Sequence, residues 1–209
     1  MPKIIGGSLG EHREQMHERI FGALAKLLHD RGYDALTLAD VASTAGIGRT
    51  AMYNYYPDKE SLLIAYTAHE TGRYVERLLA ELATVSNPID QLRVYVRMQL
   101  NQLATQHIAP SALSNILTEA GHQKMVEHVA PLWGMLRAII GQGVEQRYLP
   151  AGDVDLLLPL VTASIAGRST VDLSGHALEH AIETTTLYVL RGLGARLGTD
   201  GRARRLVTR

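Results

Sequence analysis

Twenty residues close to the amino terminus, 37–56, read TLADVASTAGIGRTAMYNYY. Thr37, followed three residues later by Asp40, matches a capping box, in which a hydroxyl and a carboxylate satisfy the first free amides of a helix. The pattern predicts a short helix over 38–45, a turn at Gly46 that accepts a left-handed backbone, and a second short helix. Two short helices joined by a tight glycine turn make a helix-turn-helix.

The second helix, expected over about 48–55, has an apolar and a polar face. Met52 and the preceding Ile47 are predicted to pack against Val41 of the first helix. The outer face then carries Arg49, Thr50, Tyr53 and Asn54. Arginine can pair bidentately with guanine and hydroxyls can reach phosphates, so this face suits a groove of DNA. Helix-glycine-helix corners also occur in proteins that never touch DNA, and from the corner alone both interpretations stay open.

The rest of the chain is predicted to be helical as well, because leucine and alanine dominate and strand patterns are almost absent. Helices are expected over 11–31, 59–84, 88–107, 122–147, 153–172 and 174–197. The fold class is therefore all-α, with a three-helix head and a larger helical body. The domains are predicted as a flexible arm over 1–10, a helix-turn-helix domain over 11–58, a ligand-binding and dimerisation body over 59–197, and a disordered basic tail over 198–209.

Composition excludes several classes of protein. The chain has 209 residues and no cysteine, so disulfides, thiolate metal sites and a cysteine nucleophile are impossible. No apolar run reaches the roughly 20 residues of a membrane helix, and no secretory signal is evident, which predicts a soluble cytoplasmic protein. Residues 1–66 hold seven Lys/Arg and eight Asp/Glu, so any attraction to DNA depends on local placement of cations.

The head resembles the amino-terminal signature of the tetracycline-repressor (TetR) family over about residues 11–66. The residues that carry the resemblance are Gly32-Tyr33, Leu36-Thr37, Asp40-Val41-Ala42, Ala45-Gly46-Ile47, Met52-Tyr53-Asn54-Tyr55-Tyr56 and Asp58-Lys59-Glu60-Ser61-Leu62. The resemblance implies an all-helical homodimer whose heads bind an operator and whose bodies bind a small-molecule effector. Effector binding would change the separation of the heads and release the DNA.

Roles for single residues follow from the same resemblance. Thr37, Tyr53 and Lys59 are expected to contact phosphates, and Tyr55 to pack or touch the DNA backbone. The base-facing positions of the recognition helix are expected to be Arg49, Thr50 and Ala51. Gly48 departs from the family pattern, which often has serine there, so the recognition helix should be weakly capped.

The body offers candidate effector and partner contacts. An effector pocket is predicted around Tyr95, Gln99, Gln102 and Trp133, with the tryptophan as core and pocket wall. Dimerisation is expected through the last two helices, which carry more apolar surface than one outer layer needs. The candidate interface residues are Leu157, Val161, Ile165, Gly167, Leu187 and Leu190. The alternative is a monomer whose last helices only cover the body.

Two further patterns carry little weight. Gly6-Gly-Ser8-Leu-Gly10 matches the nucleophile elbow of serine hydrolases but lacks the strand and sheet that this motif needs. His176 and His180 lie four residues apart, a spacing that can hold a metal, but no third ligand is evident. No cofactor, metal or catalytic residue is predicted.

The sequence therefore predicts a ligand-responsive transcriptional regulator, most simply a repressor, that binds a palindromic operator as a homodimer and is no enzyme. The alternative is a helical small-molecule or metal sensor without sequence-specific DNA binding. A helical enzyme is a third hypothesis, supported only by the glycine-rich arm around Ser8.

Overall fold

The computed structural model describes residues 9–105, 116–166 and 173–206. Its helices are α1 (Leu9–Ala35), α2 (Leu38–Ala45), α3 (Arg49–Tyr55), α4 (Lys59–Ala83), α5 (Pro88–Thr105), α6 (Glu119–Glu145), α7 (Val154–Ala166) and α8 (Gly175–Gly192). Two short strands follow, β1 (Arg196–Leu197) and β2 (Ala203–Arg204). The all-α prediction is confirmed. Within the described residues, no helix is long and apolar enough to cross a membrane.

A first hydrophobic core, the head core, joins α1, α2, α3 and the start of α4. The apolar stripe of α1 supplies Ile20, Leu24 and Leu27, which meet Val41 of α2 and Met52 of α3. The predicted break after residue 31 is present, because Gly32 has a left-handed φ of 73° and interrupts the helical backbone. The chain resumes a helical turn to Ala35 and then enters α2.

A second core, the body core, lies between α4, α5, α6, α7 and α8. Its members are Tyr74, Leu78, Leu82, Ile89, Leu92, Tyr95, Val96, Leu100, Leu136, Ile139, Ile140, Leu149, Val161, Ile165, Ile182, Val189, Leu190 and Leu193. Helix α4 contributes its first turns to the head core and its later turns to the body core. This one helix therefore connects the two parts mechanically.

Local signals place the starts of α4 and α5 as predicted. Asp58 caps α4 through a hydrogen bond from the Ser61 amide to its carboxylate, and Pro88 is the first residue of α5. Thr118 caps α6, which begins at Glu119, three residues before the predicted start at 122, and which continues through Pro131. The last helix ends at Gly192 rather than at the predicted Leu197, because the chain turns into β1.

The prediction of a disordered tail over 198–209 differs from the structure, which describes this segment as far as residue 206. Strand β1 pairs with β2 in an antiparallel register that sets Arg196 opposite Arg204. The Arg204 guanidinium donates to Asp200 at 2.8 Å within the turn, and Arg93 of α5 donates to the Gly201 carbonyl at 2.8 Å. Residues 1–8, with Ser8, and residues 207–209 lie outside the described part.

Candidate DNA-binding surface and sensing body

Helix α2 is fixed at both ends by side chains. The predicted capping box is confirmed: the Asp40 amide donates to Thr37 Oγ1 at 3.2 Å, and the Thr37 amide donates to Asp40 Oδ2 at 2.9 Å. These bonds to Thr37 lower the pKa of the Asp40 carboxyl. At the other end Gly46 has a left-handed φ of 65°, and the Arg19 guanidinium of α1 donates to the Ala45 carbonyl at 2.7 Å. The helix that precedes the recognition helix is therefore held rigidly.

Helix α3 buries Met52, half-buries Tyr55 and exposes its other side chains. Met52 is fully buried in the head core, which fixes the rotation of the helix about its axis. The exposed residues of α3 are Arg49, Thr50, Ala51, Tyr53 and Asn54. The Arg49 guanidinium lies 6.0 Å from the centre of the Tyr53 ring. Gly48 begins the helix without a side-chain cap, as the sequence predicts.

Two predicted phosphate contacts already have partners within the chain. The Lys59 ammonium donates to the carbonyls of Tyr33 at 3.0 Å and Leu36 at 3.3 Å, and it lies 4.1 Å from the centre of the Tyr33 ring. Thr37 is exposed, but its hydroxyl donates to Asp40 at 2.6 Å. A phosphate that reached Lys59 would compete with two carbonyl groups, so this lysine fixes α4 to α1 in the free protein.

Tyr55 belongs to an aromatic cluster that sequence reasoning missed. Its ring meets the His17 imidazole edge-on at 5.4 Å, and His17 Nδ1 lies 2.7 Å from the Tyr56 hydroxyl. Burial lowers the pKa of His17, helped by the nearby Arg13 and His69, and burial raises the pKa of Tyr56 to about 12. The cluster joins α1 to the end of α3. The consecutive tyrosines were its only visible sign in the sequence.

A second unpredicted feature joins the first turn of α4 to the first turn of α6. Glu60 Oε1 accepts hydrogen bonds from the Thr118 amide at 2.7 Å and from the Thr118 hydroxyl at 2.8 Å. Gly121 is buried beneath this contact, and a Cβ atom there would overlap Glu60 Oε1. We call this arrangement the Glu60–Thr118 contact. It couples the start of α4, just after the recognition helix, to the body.

The structure brings together two of the four predicted effector residues. Tyr95 is buried, its hydroxyl donates to the Leu132 carbonyl at 3.2 Å, and the Gln99 amide donates to that hydroxyl at 3.0 Å. Gln102 instead accepts from Arg77 at 3.4 Å in an exposed pair. Trp133 is 43% exposed, so the interpretation of this residue as core is corrected.

The predicted interface residues divide by burial. Val161, Ile165 and Leu190 belong to the body core and offer little surface to a partner, whereas Leu157 and Leu187 are half-buried. Gly167 lies outside the described residues. The same helices α7 and α8 instead expose Leu156 (70%), Leu160 (64%) and Tyr188 (67%). A surface groove of about 760 Å³ runs between the two helices and is lined by Leu160 and Tyr188 among others.

The histidine pair belongs to no candidate metal-binding group of side chains in the described part of the chain. His176 and His180 are exposed on α8, and the adjacent Glu179 pairs with Arg97 of α5 at 2.7 Å. No group of three or more His, Asp or Glu side chains suited to a metal occurs among residues 9–105, 116–166 and 173–206.

Comparisons with known proteins agree with this arrangement. The family model described as "Bacterial regulatory proteins, tetR family" matches residues 20–66. The chain is similar to the HTH-type transcriptional regulator AlkX of Mycobacterium tuberculosis, with 34% identity over 162 residues, covering 77% of this chain and 74% of the relative.

Solved structures share the fold. One is the transcriptional regulator FadR from Bacillus subtilis in complex with stearoyl-CoA, with a TM-score of 0.74 and 18% identity, covering 84% of this chain and 98% of that one. Another is AibR in complex with isovaleryl coenzyme A and operator DNA, with a TM-score of 0.68 and 16% identity, covering 87% and 100%.

Proposed function

Because the chain belongs to the TetR family of bacterial transcriptional regulators, we propose that it represses transcription by binding a palindromic operator as a homodimer. Proteins of this family regulate transcription in response to ligands and are not enzymes, and this chain is a DNA-binding, ligand-responsive regulator. Its place of action is proposed to be the cytoplasm, where bacterial operators are accessible.

The exposed face of α3 carries the proposal. Burial of Met52 turns Arg49, Thr50 and Asn54 away from the head core, and the rigid α2 behind them keeps that orientation. A recognition helix reads base edges in the major groove through such side chains. We assign base contacts to Arg49, Thr50 and Ala51, and phosphate contacts to Thr37 and Tyr53. Asn54 and Tyr55 are assigned to the edge of the same surface, and Lys59 to a phosphate contact that displaces its carbonyl partners.

Dimerisation is assigned to the exposed apolar residues of α7 and α8. Leu156, Leu160 and Tyr188 are each more than 60% exposed, and Leu160 and Tyr188 line one groove. A monomer rarely leaves large apolar side chains clustered in water, whereas a two-fold contact of these helices would bury them. The resulting dimer presents two heads, as reading a palindrome about one helical turn apart requires.

Effector control is proposed as a population shift. The effector binds more tightly to the body conformation in which the two heads do not match the operator. The factor by which it prefers that conformation sets the loss of operator affinity. The solved relatives contain stearoyl-CoA in FadR and isovaleryl coenzyme A in AibR. Acyl thioesters are therefore the first effector class to test on this chain.

The proposal is tested by selection of bound DNA. Full-length protein is mixed with fragmented genomic DNA from its source, and the retained fragments are sequenced against a mock selection without protein. We expect an enriched inverted repeat whose half-site centres are about 10–10.5 base pairs, or a multiple of this, apart. Retained fragments without a shared sequence would contradict the proposal.

The alternative is a sensor without sequence-specific DNA binding. The observation that favours it is the head's charge, seven basic against eight acidic side chains over residues 1–66. Such a head would displace few of the counterions that surround DNA, and it would therefore bind DNA of any sequence weakly. Binding that is weak and equal for every fragment in the selection would support this alternative.

A further inference from the structure

Two buried polar atoms in the body have no hydrogen-bond partner among the described residues. They are the hydroxyl oxygen of Tyr74 on α4 and Nδ1 of His128 on α6. Tyr74 is 3% exposed and belongs to the body core. Buried polar groups are nearly always paired, so an unpaired one requires an explanation.

These two atoms belong to two of three mutually packed helices, α4, α5 and α6, which we call the inner layer of the body. Helices α4 and α6 pack against each other, and both adjoin α5. His128 lies one helical turn before Leu132, whose carbonyl accepts the Tyr95 hydroxyl. Tyr74 lies close enough to Tyr95 for the Tyr95 phenol to raise the pKa of Tyr74. The layer thus contains the Tyr95–Gln99 pair, which is satisfied, and the Tyr74 and His128 groups, which are not.

The chemistry of this layer favours an uncharged or anionic ligand. Burial raises the pKa of the Tyr74 phenol, and Tyr95 raises it further, so Tyr74 keeps its proton at neutral pH and can donate it. No Asp or Glu side chain is buried in the described residues, so a buried cation would lack a counter-charge. The surrounding core residues are aliphatic and would accept an alkyl chain.

We propose that the Tyr74 hydroxyl and His128 Nδ1 bind the carbonyl oxygen of an acyl-chain effector. The carbonyl oxygen accepts one hydrogen bond from the Tyr74 hydroxyl and one from a proton carried on His128 Nδ1. The alkyl chain takes the place of contacts among the core side chains. This inference rests on the proposed function, because it names the group through which the effector is recognised.

The test uses dodecanoyl-CoA and its thioether analogue S-dodecyl-CoA, which lacks only the carbonyl oxygen. Isothermal titration of the full-length protein is expected to show dodecanoyl-CoA binding about tenfold more tightly, which is the usual effect of one or two buried hydrogen bonds. Tyr74→Phe and His128→Leu should each remove most of this preference. Tyr148→Phe is the matched control and should retain the preference for the thioester. The Tyr148 phenol lies beyond the end of α6, with the Arg205 guanidinium over its ring.

Folding of the variant is checked independently of binding. Tyr74→Phe removes an unpaired hydroxyl and should melt no lower than the wild type. Tyr95→Phe removes a paired one and should melt lower. Equal affinity for the thioester and the thioether, no binding of either, or an unchanged preference in Tyr74→Phe would each overturn the assignment.

Two further ligands distinguish the source of the carbonyl. Dodecanoate that binds as tightly as the thioester supports the assignment and identifies the free acid as the ligand form. Tighter binding of dodecyltrimethylammonium than of dodecanoate overturns it. The titrations contain no DNA, so failure of operator binding would refute the proposed function without affecting their outcome.

Discussion

Substitution of Gly121 by alanine should have opposite effects on stability in two backgrounds. In the wild type, the new methyl group overlaps Glu60 Oε1 and displaces the carboxylate from the Thr118 amide and hydroxyl. In a Glu60→Ala background there is no carboxylate to displace. The alanine then mainly improves the helix propensity of α6, although Leu117 Cβ lies 3.3 Å from the new atom.

The magnitudes follow from the two hydrogen bonds. Bonds to a charged acceptor contribute roughly 1.5–3 kcal/mol each when buried. Thr118 is exposed and Glu60 half-buried, so we take about 1–2 kcal/mol for the pair together. Alanine in place of glycine inside a helix gains about 0.5–1 kcal/mol. Gly121→Ala should therefore cost about 0.5–1 kcal/mol in the wild type and gain up to about 0.5 kcal/mol in Glu60→Ala.

The assay is urea unfolding of the wild type, both single variants and the double variant at one protein concentration, since dimerisation makes stability concentration-dependent. The cycle should give a coupling of about 0.5–1.5 kcal/mol between positions 60 and 121. Equal shifts of the unfolding midpoint in the two backgrounds would show that the Glu60–Thr118 contact contributes nothing. The mechanical connection between the head and α6 would then need another origin.

Three further perturbations test other parts of the structure. Thr37→Ala removes the cap of α2 and should lower the unfolding free energy by about 1 kcal/mol in urea, and no loss would refute the capping role. Burial lowers the pKa of His17, which lies beside Arg13, His69, Tyr55 and Tyr56. The unfolded chain therefore binds more protons than the folded protein just below pH 6.5, and stability should fall from pH 7 to pH 5. His17→Phe should flatten that fall, and an equal slope in both proteins would contradict the assignment. Leu160→Glu should dissociate the dimer in sedimentation experiments, whereas Leu79→Glu on α4, also an exposed leucine, should not; a dimer unaffected by Leu160→Glu would place the interface elsewhere.

Local signals in the sequence predicted the head closely. The capping box at Thr37 and Asp40 and the left-handed Gly46 define α2 at both ends, and each acts over a few residues. The burial of Met52 and exposure of Arg49 followed from helical periodicity once those ends were known. Such features need no knowledge of the distant chain.

The body was predicted less well because periodicity identifies an apolar face but not what covers it. Val161 and Leu190 have the pattern of an interface, yet residues of the same chain cover them, and Leu160 remains exposed. Helical spacing from apolar neighbours such as Leu132 and Leu136 predicts Trp133 as core, although it lies on the outer side of α6. The Glu60–Thr118 contact spans 58 residues of sequence, and no local pattern announces it.

The basic tail illustrates the same limit. Arginine-rich, polar segments are commonly disordered, but here the turn around Asp200 is closed by Arg204 and anchored by Arg93 of α5. Neither contact can be identified from composition, because both depend on where the end of α8 delivers the chain.

The most direct test of the central claim is the operator preference of Arg49→Ala. Fluorescence anisotropy of the selected operator and of random DNA is measured across a salt series for the wild type, Arg49→Ala and Arg73→Ala, an exposed arginine on α4. We expect the wild type to prefer the operator by roughly a thousandfold or more. Arg49→Ala should reduce that preference by about 1–3 kcal/mol, while Arg73→Ala should leave it unchanged. A preference that survives Arg49→Ala intact, or that the wild type lacks, would contradict sequence reading by α3.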